Sequence, residues 1–375
     1  MTIPTANTRN HSLDAARGIL MMLGILLHTS NIYSTEASWI VSDFERHPVF
    51  DIFANAIHVF RMPAFFWISG YFCALTFQKN GASGLIAKRF PRLAIPLLVT
   101  WLSLNVLQEF ALADIRNQDP VKAVLDGVPL YHLWFLLDLI LYVGLAALLM
   151  PALSRLSVSW ERLERIPLPF LLVGLAGLSL LVSEIARATG IAYVTAYGLT
   201  SLYRLASYAP FFAIGMVMYF QPAVRGRFID TPMMLALVAI PIALIVKPFE
   251  SGYGFAIGEV ALLVELLMVW TCIGAALHIF HRAFQRDSWL TRFLSDASYS
   301  IFLFHHVLVV FLGVFFAEFA LGSGMKFVII SSLTLALTIA IHLLLIHRYS
   351  ILSLAFNGKP RPLLARTKEP SIVES

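Results

Sequence analysis

Arg17 and His28 lie eleven positions apart in the run LDAARGILMMLGILLHTSN, residues 13–31. At 100° per helical residue they fall about 20° from a common face and ~16 Å apart along the axis. The run is long and apolar enough for a membrane helix, where each ionisable group costs about 2.5–3.5 kcal/mol on insertion scales. Asp14, one turn before Arg17, is a third such group. A guanidinium is a planar fork of donors suited to phosphate, and an imidazole is suited to moving a proton. Read singly, Arg17 is a snorkelling anchor, Asp14 its salt-bridge partner and His28 an interhelical hydrogen-bonder. Three in one span favour a site.

The elements that must position these groups are membrane helices. The chain has 375 residues, 59% hydrophobic and only 13% charged, with a mean hydropathy of +0.79. A soluble domain does not carry that composition, so the sequence predicts an all-α, polytopic membrane bundle. Apolar runs near 13–33, 51–76, 93–113, 131–151, 168–188, 201–220, 231–247, 258–280, 299–320 and 325–347 give about ten spans. Basic residues gather in alternate loops: Lys79, Lys88, Arg89 and Arg92; Arg155, Arg162 and Arg165; Arg225 and Arg227; Arg282, Arg286 and Arg292; then Lys359, Arg361, Arg366 and Lys368. The intervening loops are acidic or poor in Lys and Arg, with Glu36, Asp43 and Glu45 in the first and Asp114, Asp119 and Asp126 in the third. The positive-inside rule then puts both termini in the cytoplasm. The formal charge of +5 is read as topology, and no nucleic-acid partner is expected. Residues 1–360 form one expected domain and 361–375 a polar cytoplasmic tail. Trp39, Trp101, Tyr131, Trp160 and Trp289 read as interfacial belt residues, and Cys73 and Cys272 as packing residues. The sequence lacks a G-x-S-x-G elbow, a P-loop and an H-x-x-x-H pair with carboxylates nearby, so a serine hydrolase, an ATP-driven pump and a metal site are disfavoured.

The Arg, ten residues, His arrangement resembles the signature of membrane acyltransferase family 3. The stretches IHVFRMPAFFWISGYF (57–72), HLWFLL (132–137), YAPFFAIG (208–215), SIFLFHH (300–306) and FNGKP (356–360) extend the resemblance, in order, to nearly the whole chain. They look like the members of that family that succinylate osmoregulated periplasmic glucans. The resemblance implies an O-acyltransferase of the bacterial inner membrane that uses succinyl-CoA as substrate and has no permanently bound cofactor. Its implied partners are an acyl-CoA, a periplasmic glucan and membrane lipid. Homo-oligomers and the glucan-synthesis machinery stay open as further partners.

On this reading His28 is the general base, and a covalent acyl-His28 is the alternative chemistry. Asp14 and Arg17 orient and bind the donor. Arg89 and Arg92 join Arg17 at the phosphate end, with Lys88 more simply a topology signal, and the offset between Arg17 and His28 matches a pantetheine arm. His305 and His306 are placed about two turns into the ninth span, with at most one of them facing the donor, because adjacent helical residues point 100° apart. His58, Arg61, His132 and Trp134 are assigned to the acceptor half, Arg61 also as a holder of the acyl carboxylate. Arg204 is expected to pair with a glutamate, Glu259 or Glu265. Ser69 and Gly70 are read first as close-packing residues. The rival reading is a glucan exporter or an ion-coupled transporter; the absence of a visible repeat opposes it.

Overall fold

The computed structural model describes residues 10–36, 39–154, 163–191, 194–196, 199–250 and 254–360. Arg155, Trp160, Arg162, Arg361, Arg366 and Lys368, and with them the expected tail, lie outside the described residues. The architecture is helical. Helix α1 (His11–Ile32) starts where the Asn10 side chain accepts from the Leu13 N–H, with Asp14 in the first turn, so its N-terminal donors and dipole are both answered. Helix α2 (Pro48–Thr100) runs on through a π-turn at Trp101–Asn105 into α3 (Val106–Ile115). It is broken at Gly81, whose φ of 68° is a left-handed conformation open to glycine. There the chain folds back: Arg89 Nη2 donates to Phe72 O at 2.7 Å. A straight helix would separate residues seventeen apart by ~25 Å.

After the short α4 (Pro120–Leu125) come α5 (Trp134–Leu153), α6 (Leu168–Ala188), α7 (Leu202–Phe220), α8 (Pro222–Ile229), α9 (Met233–Val246) and α10 (Phe255–Ala283). The chain ends in α11 (Trp289–Ala317), α12 (Ser323–Ile341) and α13 (Ser350–Asn357). Extended structure among the described residues is one antiparallel pair of two-residue strands, β1 (Thr195–Ala196) and β2 (Thr200–Ser201).

Each expected apolar run falls on a helix, but the number able to cross a membrane differs from ten. Seven described helical runs are long and apolar enough, or eight if α8 and α9, bent by 74°, act as one span. Two of the predicted runs merge across Gly81, and α7 falls short because Arg204, Tyr203, Tyr208 and Pro210 dilute its apolar residues.

Three helices set the frame of the site. Helices α1 and α11 pack side by side: a Cβ on Gly18 would stand 2.5 Å from Leu294 O, so only glycine allows this approach. Their contacts rise in number together, Arg17 with Ser295, His28 with His306 and Ile32 with Gly313, so the two helices are parallel. Contacts of α1 with α2 run the other way, Arg17 with Phe72 and Gly24 with Arg61, so that pair is antiparallel. Behind them a core of Phe66, Trp67, Phe135 and Trp270 joins α2, α5 and α10. Gly70 and Gly215 let α2 and α7 cross with backbones in contact, as the packing reading of Gly70 expects.

Candidate active site

Four imidazoles from three segments meet at the far end of α1. The His28 ring lies 5.4 Å from that of His305 and 5.1 Å from that of His306. His132, in the 3-10 turn Tyr131–Leu133 before α5, stacks on His306 at 4.6 Å and meets His305 at 5.3 Å. Trp39, from the loop after α1, stacks on His28 at 5.6 Å. Tyr131 approaches His306 at 5.4 Å and holds a φ of 48°, a left-handed backbone that costs an aromatic residue roughly 1 kcal/mol or more. Among the described residues no group of three or more His, Cys, Asp and Glu side chains is arranged to hold a metal.

Hydrogen bonds set the tautomers of two rings. His305 Nδ1–H donates to Phe302 O at 2.6 Å, since a carbonyl can only accept, and this leaves the Nε2 lone pair free. His306 Nδ1–H donates to Gln108 Oε1 at 2.9 Å. Several buried polar atoms here find no partner among the described residues: His28 Nδ1, His305 Nε2, Gln108 Nε2, Arg61 Nε and the Tyr131 hydroxyl. One such atom is an ordinary exception; this many in one place makes the cluster the candidate site.

The other end of α1 is basic. Arg17 Nη2 donates to Ser295 Oγ at 3.1 Å, sits 3.6 Å from Asp14 and lies over the Phe72 ring at 5.7 Å. Arg89 reaches the same place through Phe72 O and Thr76 Oγ1. Arg92 is exposed, with Gly358 packed on its backbone; a Cβ at 358 would stand 2.3 Å from Arg92 Cα. Lys88 is exposed and bonds Asn80. The unbroken α1 therefore carries Arg17 and His28 at the two ends of a ~16 Å interval.

Several residues lie elsewhere than the sequence places them. His305 and His306 are at the His28 end, and both touch His28 and His132. The expected position, two turns into a span, fails because α11 begins at Trp289 behind a Ser288–Thr291 capping box, ten residues before the apolar run. The rule that only one of two neighbours faces a site fails because His28 and His132 each lie against both rings, spanning the angle between them. Arg61 joins the cluster, with Nη1 against Gly24. His58 is exposed and makes none of these ring contacts. Trp134 is stacked on Tyr208 and covered by Arg204 at 4.3 Å, so it belongs to a separate group. Arg204 pairs with neither expected glutamate but with fully buried Asp138 of α5, at 3.1 Å, which Thr200 Oγ1 also bonds at 2.7 Å. Glu259 instead takes Arg187 at 2.7 Å.

Trp39, Gln108, Tyr131, Asp138 and Gly24 were not singled out as site residues by sequence reasoning. Asp138 alone carried a signal, a carboxylate in mid-span, which calls for a partner.

One apolar helix thus carries a basic end and an imidazole end, and the comparisons give the class of protein in which they stand. A family model described as an acyltransferase domain, acyltransferase family 3, matches residues 10–343, and the chain belongs to this family of membrane acyltransferases. The chain is also 28% identical to the glucans biosynthesis protein C of Salmonella paratyphi A and to that of Salmonella agona, over 94% of this chain and 95% of each relative. Glucans biosynthesis protein C of Salmonella dublin is similar to the same degree. No solved structure matches the chain.

Proposed function

We propose that this acyltransferase moves a succinyl group from cytoplasmic succinyl-CoA to a glucose hydroxyl of a periplasmic glucan, in the bacterial inner membrane. The termini are then cytoplasmic, and the two arms of α2–α3 and α7 count as separate crossings. The glucan acceptor follows the name of the relatives. The observation that carries the reading is the register of α1 and α11, which puts Arg17 and Ser295 at one level and His28 and His306 at another.

In this reading Arg17, Arg89 and Arg92 hold the donor phosphates, Asp14 orients Arg17, and the pantetheine arm follows α1 to His28. A lone pair of His28 takes the hydroxyl proton as that oxygen attacks the thioester carbonyl; a positioned base of this kind contributes about 10²–10⁴-fold in rate. The tetrahedral intermediate expels the CoA thiolate, the C–S bond breaks, and the imidazolium returns its proton to sulfur. His305 and His306 then face the thioester rather than the phosphates, and His132 faces the incoming sugar.

The test is the purified protein given succinyl-CoA and glucan, with free CoA and succinylated glucan as readouts. His28→Ala should abolish transfer while CoA binding persists. Retained succinylation in that variant excludes His28 as the base, and glucan flux across vesicles without CoA turnover replaces the enzyme reading with a transporter.

A further inference from the structure

We infer that Arg61 forms an anion subsite reading a carboxylate at the far end of the transferred acyl group, so that donor choice is made inside the membrane beside the reacting carbon. Arg61 is 8% exposed, and Nε is without a partner. No hydrogen bond or ion pair joins it to a described residue. Two nearby carboxylates are engaged elsewhere: Asp51, on the same helix, by Ser34 and Thr35, and Asp138 by Arg204 and Thr200. A buried guanidinium left without an anion is costly enough that its place is kept for a charge brought by the ligand.

The geometry selects the kind of anion. Arg61 Nη1 lies against Gly24, where a Cβ would stand 2.5 Å from it and 3.1 Å from His305 Nε2. Gly24 is one helical turn before His28, ~6 Å along the axis. The two carbonyl carbons of an extended four-carbon diacid are about 4 Å apart, given about 1.5 Å per C–C bond. A thioester carbonyl beside His28 therefore puts the distal carboxylate of such a half-acyl group within reach of the guanidinium, whose fork donates to both of its oxygens. An uncharged acyl group of equal length would leave Arg61 unpaired.

This subsite rests on the acyltransferase reading, so the experiment separates the two. Succinyl-CoA and butyryl-CoA, equal in chain length and different in charge, are compared with glucan as acceptor. The native protein should favour succinyl by about 100-fold in kcat/KM, as expected for a buried charge-assisted pair. Arg61→Gln should bring the ratio to within a few-fold by loss of succinyl transfer. Gly24→Ala crowds the flexible end of Arg61 and also stands 3.1 Å from His305 Nε2, so it should lower transfer from both donors and narrow the same ratio. Equal use of both donors by the native protein overturns the subsite, as does an equal loss of both in Arg61→Gln. If no acyl-CoA is turned over, the acyltransferase reading fails. The subsite is then judged by binding: succinyl-CoA should stabilise the native protein more than butyryl-CoA does, and a difference that is missing, or that survives Arg61→Gln, overturns it.

Discussion

The His28 and His306 rings meet at 5.1 Å, eleven residues beyond the Arg17–Ser295 hydrogen bond on each of their two helices. Parallel helices in register repeat their contacts at matching intervals, so α1 and α11 bound the same interval from two sides. Gly18 against Leu294 O holds them at the distance this requires.

Arg17 is expected to act through the donor head. Arg17→Gln should raise the KM for succinyl-CoA about 10- to 100-fold with a smaller change in kcat, the pattern of a lost phosphate contact. Succinyl-pantetheine, which lacks the nucleotide, should be used equally by the native and variant proteins. Steady-state kinetics with both donors makes the check, and an equal loss with the truncated donor removes Arg17 from the phosphate site.

Gln108 acts through His306. Gln108→Leu removes the acceptor of the Nδ1–H bond and frees the ring, with an expected fall in kcat of about 10-fold and little change in KM. Gln108→Glu keeps an acceptor there and should retain most activity. Similar losses in both variants, measured with thermal stability in parallel, would mean that Gln108 serves packing alone.

Asp138 is a matter of stability. Asp138→Ala strands Arg204, which is partly exposed, so the cost is set below that of a fully buried pair, at about 2–4 kcal/mol. Asp138→Leu combined with Arg204→Leu removes both charges and should recover much of the loss. Thermal unfolding in detergent of the two variants decides it.

Lys326 and Asp43 form an ion pair at 2.8 Å, with both side chains almost wholly buried. The pair ties the loop after α1, which carries Trp39 onto His28, to α12. Lys326→Met should lower the unfolding temperature and also free Trp39, seen as a change in tryptophan emission that Trp39→Phe abolishes. An emission spectrum unaffected by Lys326→Met would dissociate the pair from the Trp39 contact.

The Arg17–His28 interval was legible because both residues lie on one regular helix, where number converts directly to angle and rise. Relations between helices were less so. His305 and His306 were displaced by an error at a helix start: Ser295, Asp296 and Ser298 interrupt the apolar run, so the sequence pattern begins at 299 while the backbone begins at Trp289. Trp39 looked like any interfacial aromatic, and Gln108 became meaningful only when α3 was brought against α11. The pairing of Arg204 with Asp138 joins residues 66 apart, a choice of partner that charge alone did not determine.

The unbroken helix between Arg17 and His28 also limits how this protein can change. One residue inserted between them would swing the imidazole by about 100°, away from His306 and Trp39; four would return it to within about 40° while lengthening the interval by ~6 Å. Reach and direction are therefore coupled, and the position of His28 along α1 can be altered, with its ring contacts kept, only in steps of about one turn. A homologue with a different spacing should differ by a whole turn, and should carry a matching change in α11.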